Sequence, residues 1–399
     1  MQTKLLVSAV LSLFSLTGLA ANPPMPVFRA ADVDTNVGIG YGVVLADING
    51  DKKPDIILAD KNVVVWYQNP GWQKHVIAEK LTQLDHVCIA AADIDGDGEA
   101  ELAAGAGWNP NDTLNSGSVH YLIPSKDRLQ KWEPVTLPHE PTVHRMRWRK
   151  IGTNQFDLVV VPLHGRGNRD GQGDGVKILA YKMPADPKAP WTTELVDDTL
   201  HMTHNFELVQ WDKDPEQEIL VASKEGVFLF DYATNKWSRT QLVGNAEGET
   251  AFKGAGEIRT GKLPGGKRYL ATVEPMHGNA VVIYTEPGKG ERFWRRHELE
   301  SALKGGHALG CGDFIGLGAD QLIAGWREKS DEGKVGLLLF SPLDKEGKEW
   351  KKVLVDDNGM ACEDVALADL NGDGRLDIVA SGRATKNLKI YFNEGITRK

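Results

Sequence analysis

Cysteine is scarce. The 399-residue chain has three, Cys88, Cys311 and Cys362, and three thiols cannot all pair, which excludes a disulfide framework. Each falls in a stretch that reads as an innermost strand, where the simplest role is a small buried apolar side chain. Positive charge is in deficit too: 46 Lys and Arg stand against 55 Asp and Glu, a formal net charge of −9. That balance argues against nucleic acid, whose phosphates demand a basic surface. Beyond the first twenty residues no apolar run approaches the length of a membrane span. No nucleophile motif stands in a strand–turn–helix context, so serine or cysteine hydrolysis has no support.

What is present begins with an address. Lys4 supplies a short positive region, Leu5 to Leu16 an apolar run, and Gly18-Leu19-Ala20 the small residues a signal peptidase requires. The run is too short for a span, and Asn22, Pro23 and Pro24 follow at once. This predicts a signal peptide over residues 1–20 and an exported protein, periplasmic or extracellular. The absence of cysteine at the cleavage point argues against a lipid anchor. Loss of Lys4 with the leader takes the formal charge from −9 to −10.

A repeat dominates the remainder. Asp47-Ile48-Asn49-Gly50-Asp51 recurs as Asp93-Ile94-Asp95-Gly96-Asp97 and as Asp369-Leu370-Asn371-Gly372-Asp373. Each copy is flanked by apolar stretches, which reads as strand, tight acidic turn, strand. Degenerate copies span Arg145 to Val161, Phe206 to Ala222, Glu257 to Val273 and Ala308 to Ala324. Outer strands open on Trp72, Trp132, Trp191, Trp237, Trp294 and Trp350. Seven inner hairpins against six outer strands leave one strand missing, and Pro26 to Asp32 supplies it. The predicted fold is an all-β, seven-bladed β-propeller over residues 21–399, closed by an N-terminal strand so that no sheet edge is left open between the first and last blades.

The acidic turns place oxygen ligands at alternate positions, as a hard cation requires. Asp369, Asn371, Asp373 and Asp377 form one set, with Gly374 at the turn, and Asp93, Asp95, Asp97 and Glu101 another, with Gly98. Asp47, Asn49, Asp51 and Asp55 form a third, in which Lys52 replaces the glycine; Asp212, Asp214 and Glu218 are a remnant. Structural calcium is the expected occupant. These loops resemble the FG-GAP or VCBS repeats of integrin-type propellers, a resemblance that specifies fold better than function.

In a propeller the inner hairpin turns point to one face. Entries to the innermost strands and exits from the second strands point to the other. His86, His144, His204 and His307 occupy such entries, with Tyr41 and Glu363 as their counterparts in the first and last blades. The exits add Trp108, His164, Lys224, His277, Trp326, Arg327 and Arg383. Six of eleven histidines therefore gather on one rim, where imidazoles serve as transition-metal ligands or as acid and base near neutral pH. Arginine and tryptophan at the same rim suit a sugar. Arg145, Arg147 and Arg149 alternate along one innermost strand, which leaves open whether they line the channel or pair with acidic neighbours.

Gly306-His307-Ala308-Leu309 with Asp313-Phe314, Ala324-Gly325-Trp326-Arg327, Thr203-His204-Asn205-Phe206, Pro275-Met276-His277-Gly278 and Asp85-His86 resemble the propeller domain of the aldos-2-ulose dehydratases. That family's enzymes carry additional cupin-like domains. The resemblance implies an exported carbon–oxygen lyase that eliminates water, or a glycosidic group, from a keto-sugar such as an aldos-2-ulose or anhydrofructose. It implies metal or acid–base roles for His86, His144, His204 and His307. His164, His277, Trp326 and Arg327 then position the sugar, with Tyr41, Trp108, Glu363 and Arg383 beside them. A divalent transition metal at the histidine rim is an option. Two other readings stand: a non-catalytic propeller binding a glycan or protein, and a polysaccharide lyase acting on uronic-acid chains.

Overall fold

Seven four-stranded antiparallel sheets stand around one axis in the computed structural model, which describes residues 24–397 apart from 170 and 246–249. The expected leader lies outside the described residues. In blades 1 to 6 the four strands follow in chain order from the axis outward, and their innermost strands are Gly42–Ala46, Cys88–Ala92, Val143–Gly152, Thr203–Val209, Glu257–Lys262 and Gly306–Gly312. Blade 7 combines the two ends of the chain. Its strands Cys362–Ala368, Asp377–Gly382 and Asn387–Ile396 are completed by Pro26–Asp34, which pairs antiparallel with the last of them. The N-terminal strand thus closes the ring as expected, and Phe28 packs edge-on against Phe314 of blade 6 at 5.7 Å. No described residue lies in a helix, so none is long and apolar enough to cross a membrane as a helix.

The core is divided by the blades. Strand alternation sends successive side chains to opposite faces of each sheet, and each face packs on the next blade. Among the described residues this produces seven apolar clusters, one per interface; Trp66 with Leu102 joins blades 1 and 2, and Leu58 with Ile390 joins blades 1 and 7. Near the axis the sheets crowd, and small residues meet. A Cβ on Gly105 would lie 2.5 Å from Cys88 Sγ, and one on Gly325 would lie 2.6 Å from Cys362 Sγ. The three cysteines are unpaired and in innermost strands. Burial pushes the Cys88 thiol up to about 12, so it packs rather than reacts.

The outer tryptophans anchor the closing strands. Trp191 Nε1 donates to Pro187 O and Trp350 Nε1 to Gly347 O, both at 2.9 Å. Each indole thereby buries its ring while satisfying its one donor.

The acidic turns share one hydrogen-bond scheme. The first aspartate wraps the loop: Asp93 accepts from Gly96 N and Gly98 N at 2.7 and 3.0 Å, and Asp369 from Gly372 N and Gly374 N at 2.8 and 2.7 Å. Asp47 does the same with Gly50 N and Lys52 N, which forces Lys52 to φ +67° where the other turns have glycine. Asp55 and Asp377 are buried at the second strand. Each divides its two oxygens between the turn (Ile48 N, Leu370 N) and the exit of the third strand (Asn69 N, Asn393 N), at 2.8–3.0 Å. Gln321 accepts from Phe314 N in the same way, so that bond needs no charge. Asp93, Asp95 and Glu101 bring ligand oxygens within 4.8 Å of one another. Asp212, Asp214 and Glu218 also converge, joined by Asp231 from the third strand of blade 4.

Candidate active site

On the face opposite the acidic turns four histidines meet. The rings of His144 and His204 are 4.6 Å apart, His204 and His277 4.4 Å, His204 and His307 5.0 Å, and His277 and His307 4.7 Å. His144, His204 and His307 enter the innermost strands of blades 3, 4 and 6; His277 follows the second strand of blade 5. These are the entries and exits that the repeat assigns to one face.

Main-chain carbonyls set the tautomers. His144 Nδ1 donates to His204 O at 2.7 Å, His204 Nδ1 to Gly256 O at 2.8 Å, and His307 Nδ1 to Glu363 O at 2.5 Å. A carbonyl only accepts, so each Nδ1 carries the proton and each Nε2 keeps its lone pair. His204 Nε2 and His277 Nε2 lie 2.5 Å apart. Ligand nitrogens of His204, His277 and His307 all fall within 4.8 Å of one another.

Burial keeps these imidazoles neutral. It pushes His144, His204 and His307 well below 6.5, with Arg145 or Arg327 nearby as the next contribution, and His277 down to about 2, aided by His204 and Arg327. Neutral imidazole nitrogens at short mutual distance, with the rings of His204 and His307 oriented by carbonyls, are the donor set that a borderline metal such as zinc selects. The residues present therefore fit such an ion.

Two carboxylates support the cluster. Glu257 Oε1 lies 3.2 Å from His204 Nδ1, and its Oε2 accepts from Asn205 Nδ2 at 2.6 Å, while Asn205 Oδ1 accepts from Arg147 Nη2 at 3.1 Å. Glu363 is buried, accepts from Arg327 Nη1 at 2.9 Å and from Arg383 Nη1 at 2.8 Å, and sits 3.9 Å from His307 Nε2. Arg383 lies over the Tyr41 ring at 5.4 Å, and Tyr41 donates to Asp85 Oδ2 at 2.9 Å. Trp108 packs on His144 at 4.9 Å. Beside the cluster, a cleft of about 570 Å³ is lined by Thr113, His164, Asn168, Arg169, Met202 and Lys224.

Not every expected residue joins. His86 is fully buried with its Nε2 accepting from Leu81 N at 3.2 Å, so that lone pair is spent on the main chain rather than offered to the axis. His164 lines the neighbouring cleft rather than the cluster. Trp326 is a core residue: 7% exposed, packed between blades 5 and 6, with Nε1 donating to Lys334 O at 2.9 Å. Its face is not offered to a sugar. Glu257 was missed, although it stands in the same place of its strand as Asn205; that equivalence was the available signal.

Comparison with known proteins agrees with this architecture. The model of the aldos-2-ulose dehydratase β-propeller domain matches residues 116–287, an FG-GAP-like repeat model matches residues 27–104, and an FG-GAP repeat model residues 89–122. Aldos-2-ulose dehydratase of Phanerodontia chrysosporium is 24% identical over 365 residues, covering 84% of this chain but 39% of that protein. The chain thus spans well under half of that relative. Among solved structures, BBS1N, crystallised in complex with ARL6DN, superposes with TM-score 0.56 at 18% identity over 92% of this chain and 97% of its own. A chain of the mitotic checkpoint complex does so with TM-score 0.55 at 14% identity over 97% and 99%. These two likenesses concern the fold alone. The chain is a seven-bladed β-propeller with FG-GAP-type repeats over residues 27–122, similar over residues 116–287 to the propeller domain of the aldos-2-ulose dehydratases.

Proposed function

We propose that the histidine face is the active site of a carbon–oxygen lyase that eliminates water from a keto-sugar such as an aldos-2-ulose or anhydrofructose. One observation carries the reading: His204, His277 and His307 bring their ligand nitrogens together beside His144. The similarity to a dehydratase propeller supplies the substrate class.

A ketone acidifies the neighbouring C–H, and elimination requires a base for that proton, stabilisation of the developing oxyanion, and a donor for the departing hydroxyl. His204, His277 and His307 would hold a zinc-type ion, which when bound supplies Lewis-acid polarisation of the ketone. His144 serves as the base: its Nδ1 proton is tied to His204 O, so Nε2 is the atom that receives a proton. The imidazolium so formed returns the proton to the leaving hydroxyl. Arg327, steadied by Glu363, adds positive charge beside the cluster. Arg169, exposed at the cleft beside the cluster, offers donors to the sugar hydroxyls.

The test joins elemental analysis of the purified chain to an assay of enone formation from anhydrofructose by ultraviolet absorbance. A bound transition metal and turnover, both lost in His277→Ala, are expected. A metal-free protein without activity on keto-sugars would withdraw the lyase reading in favour of a glycan-binding propeller. Calcium at the Asp47, Asp93 and Asp369 turns and export directed by residues 1–20 belong to the same proposal. Calcium should raise the melting temperature of the wild type and do so less in Asp93→Asn/Asp369→Asn.

A further inference from the structure

The axial channel contains charge that the histidine site does not use. Arg145 and Arg147 of blade 3 and Arg259 of blade 5 line a cavity of about 390 Å³, together with Asn205, Glu207 and Asp364. Arg145 is 6% exposed. Its Nη2 and the Nη1 of Arg147 are buried and have no hydrogen-bond partner. A buried guanidinium N–H without an acceptor is costly, and native structures rarely tolerate one without a reason.

The nearby carboxylates do not answer these donors. Asp364 accepts from Val43 N through Oδ2 and from Val365 N through Oδ1, both at 3.0 Å. Glu207 accepts from Thr260 N at 2.7 Å, and Glu257 is engaged with Asn205. Arg149, the third arginine of the alternating run, is excluded from the channel by its own pair: it forks onto Asp157 at 3.0 and 2.6 Å. Arg145 and Arg147 thus differ from Arg149 in lacking a dedicated carboxylate. Burial, then the neighbouring Arg259 and Arg145, pushes the Arg147 guanidinium down to about 9. With three arginines against the two carboxylates Glu207 and Asp364 in its lining, the channel has an excess of positive charge and supplies unused donors.

We propose that the channel is a site for a small oxyanion, a carboxylate or a phosphate, held by Arg145 Nη2 and Arg147 Nη1 with Arg259 adding positive charge. Guanidinium groups form charge-assisted hydrogen bonds to both anion types, and burial of the donor atoms strengthens them. This site does not depend on the lyase reading: Arg145 Nη2 and Arg147 Nη1 make no contact with the histidines, and Arg147 reaches that cluster only through its other nitrogen, Nη2, and Asn205.

Titration calorimetry of the full chain at constant ionic strength, with inorganic phosphate and separately with acetate, tests it. At least one anion should bind saturably at one site per chain and weaken tenfold or more in Arg147→Gln, while exposed Lys236→Gln leaves it unchanged. The tighter anion identifies the ligand as phosphate-like or carboxylate-like. No saturable binding of either, or binding indifferent to Arg147→Gln, overturns the proposal. If Arg147→Gln fails to fold, wild-type crystals soaked in selenate provide the second measurement. An anomalous peak between Arg145 and Arg147 supports the site, and its absence overturns it.

Discussion

His144 donates its Nδ1 proton to the main-chain carbonyl of His204, 2.7 Å away, and His204 enters the innermost strand of blade 4 as His144 enters that of blade 3. The contact repeats from His204 to Gly256 and from His307 to Glu363. Each histidine is therefore bolted to the next blade through main chain, which mutation does not easily alter. A rotation of one blade would turn the ring that its neighbour holds. Blade packing and imidazole orientation are one geometry.

Acid should destabilise the metal-free protein. His144, His204, His277 and His307 have folded pKa values below the unfolded value near 6.5, so the unfolded chain binds more protons as pH falls. Their stabilisation is complete above pH 6.5 and is lost below it, at about 1.4 kcal/mol per pH unit for each group. His120, pushed by burial to about 4, acts in the same direction. Buried carboxylates act oppositely, Asp55 and Glu101 raised to about 6 and about 7 and Asp157, Glu207, Glu218, Asp320, Asp364 and Asp377 raised too. Their unfolded values near 4 lie below this pH window, whereas those of the eight lowered histidines, His75, His86 and His297 included, lie within it. Urea midpoints at pH 8, 6.5 and 5.5 should fall steadily after chelation, and a flat profile would contradict the neutral cluster.

Glu257→Gln should weaken the proposed metal without removing a ligand. The carboxylate stands 3.2 Å from His204 Nδ1, whose proton goes to Gly256 O; its negative charge favours a cation at the cluster, and such outer partners contribute roughly 10-fold in metal affinity. Competition with a chromogenic chelator reads the change. The expected result is a tenfold loss with stoichiometry retained, whereas His204→Ala removes the site.

Lys52→Gly should stabilise the first turn. Lys52 holds φ +67° while its N–H is fixed to Asp47, a conformation that costs a side-chain-bearing residue about 1 kcal/mol. The greater freedom of glycine in the unfolded chain offsets part of this, leaving a gain of about 0.5 kcal/mol. Chemical denaturation of the calcium-free protein measures it, and a lower midpoint would count against the strain argument.

Trp326→Phe should cost stability rather than sugar recognition. The indole is enclosed between blades 5 and 6, and its Nε1 bond to Lys334 O is lost together with ring volume, a change of about 2 kcal/mol. Any keto-sugar turnover should keep its KM within twofold. A large rise in KM at unchanged stability would return Trp326 to the binding face.

The sequence by itself determined the architecture. Acidic turns at Asp47, Asp93 and Asp369, apolar strands around them and tryptophans opening the outer strands are local signals, each legible within ten residues, and their count alone demands seven blades and a closing strand at Pro26. Topological equivalence then carried His144, His204, His277 and His307 to one face, because strand entries and exits obey the repeat. Only the tertiary structure decided which side chains meet there. His86 occupies an entry like the others but spends its Nε2 on Leu81 N, and Trp326 leaves its strand toward the core. Arg149 finds Asp157 while Arg145 and Arg147 find open channel. Some of these choices turn on rotamer among near neighbours, as with His86 and Leu81 or Arg149 and Asp157. Others depend on what the adjacent blade presents, about fifty to sixty residues away in sequence, as His144 is from His204 and His204 from Gly256. A repeat specifies where a side chain starts; the neighbouring blade decides where it ends.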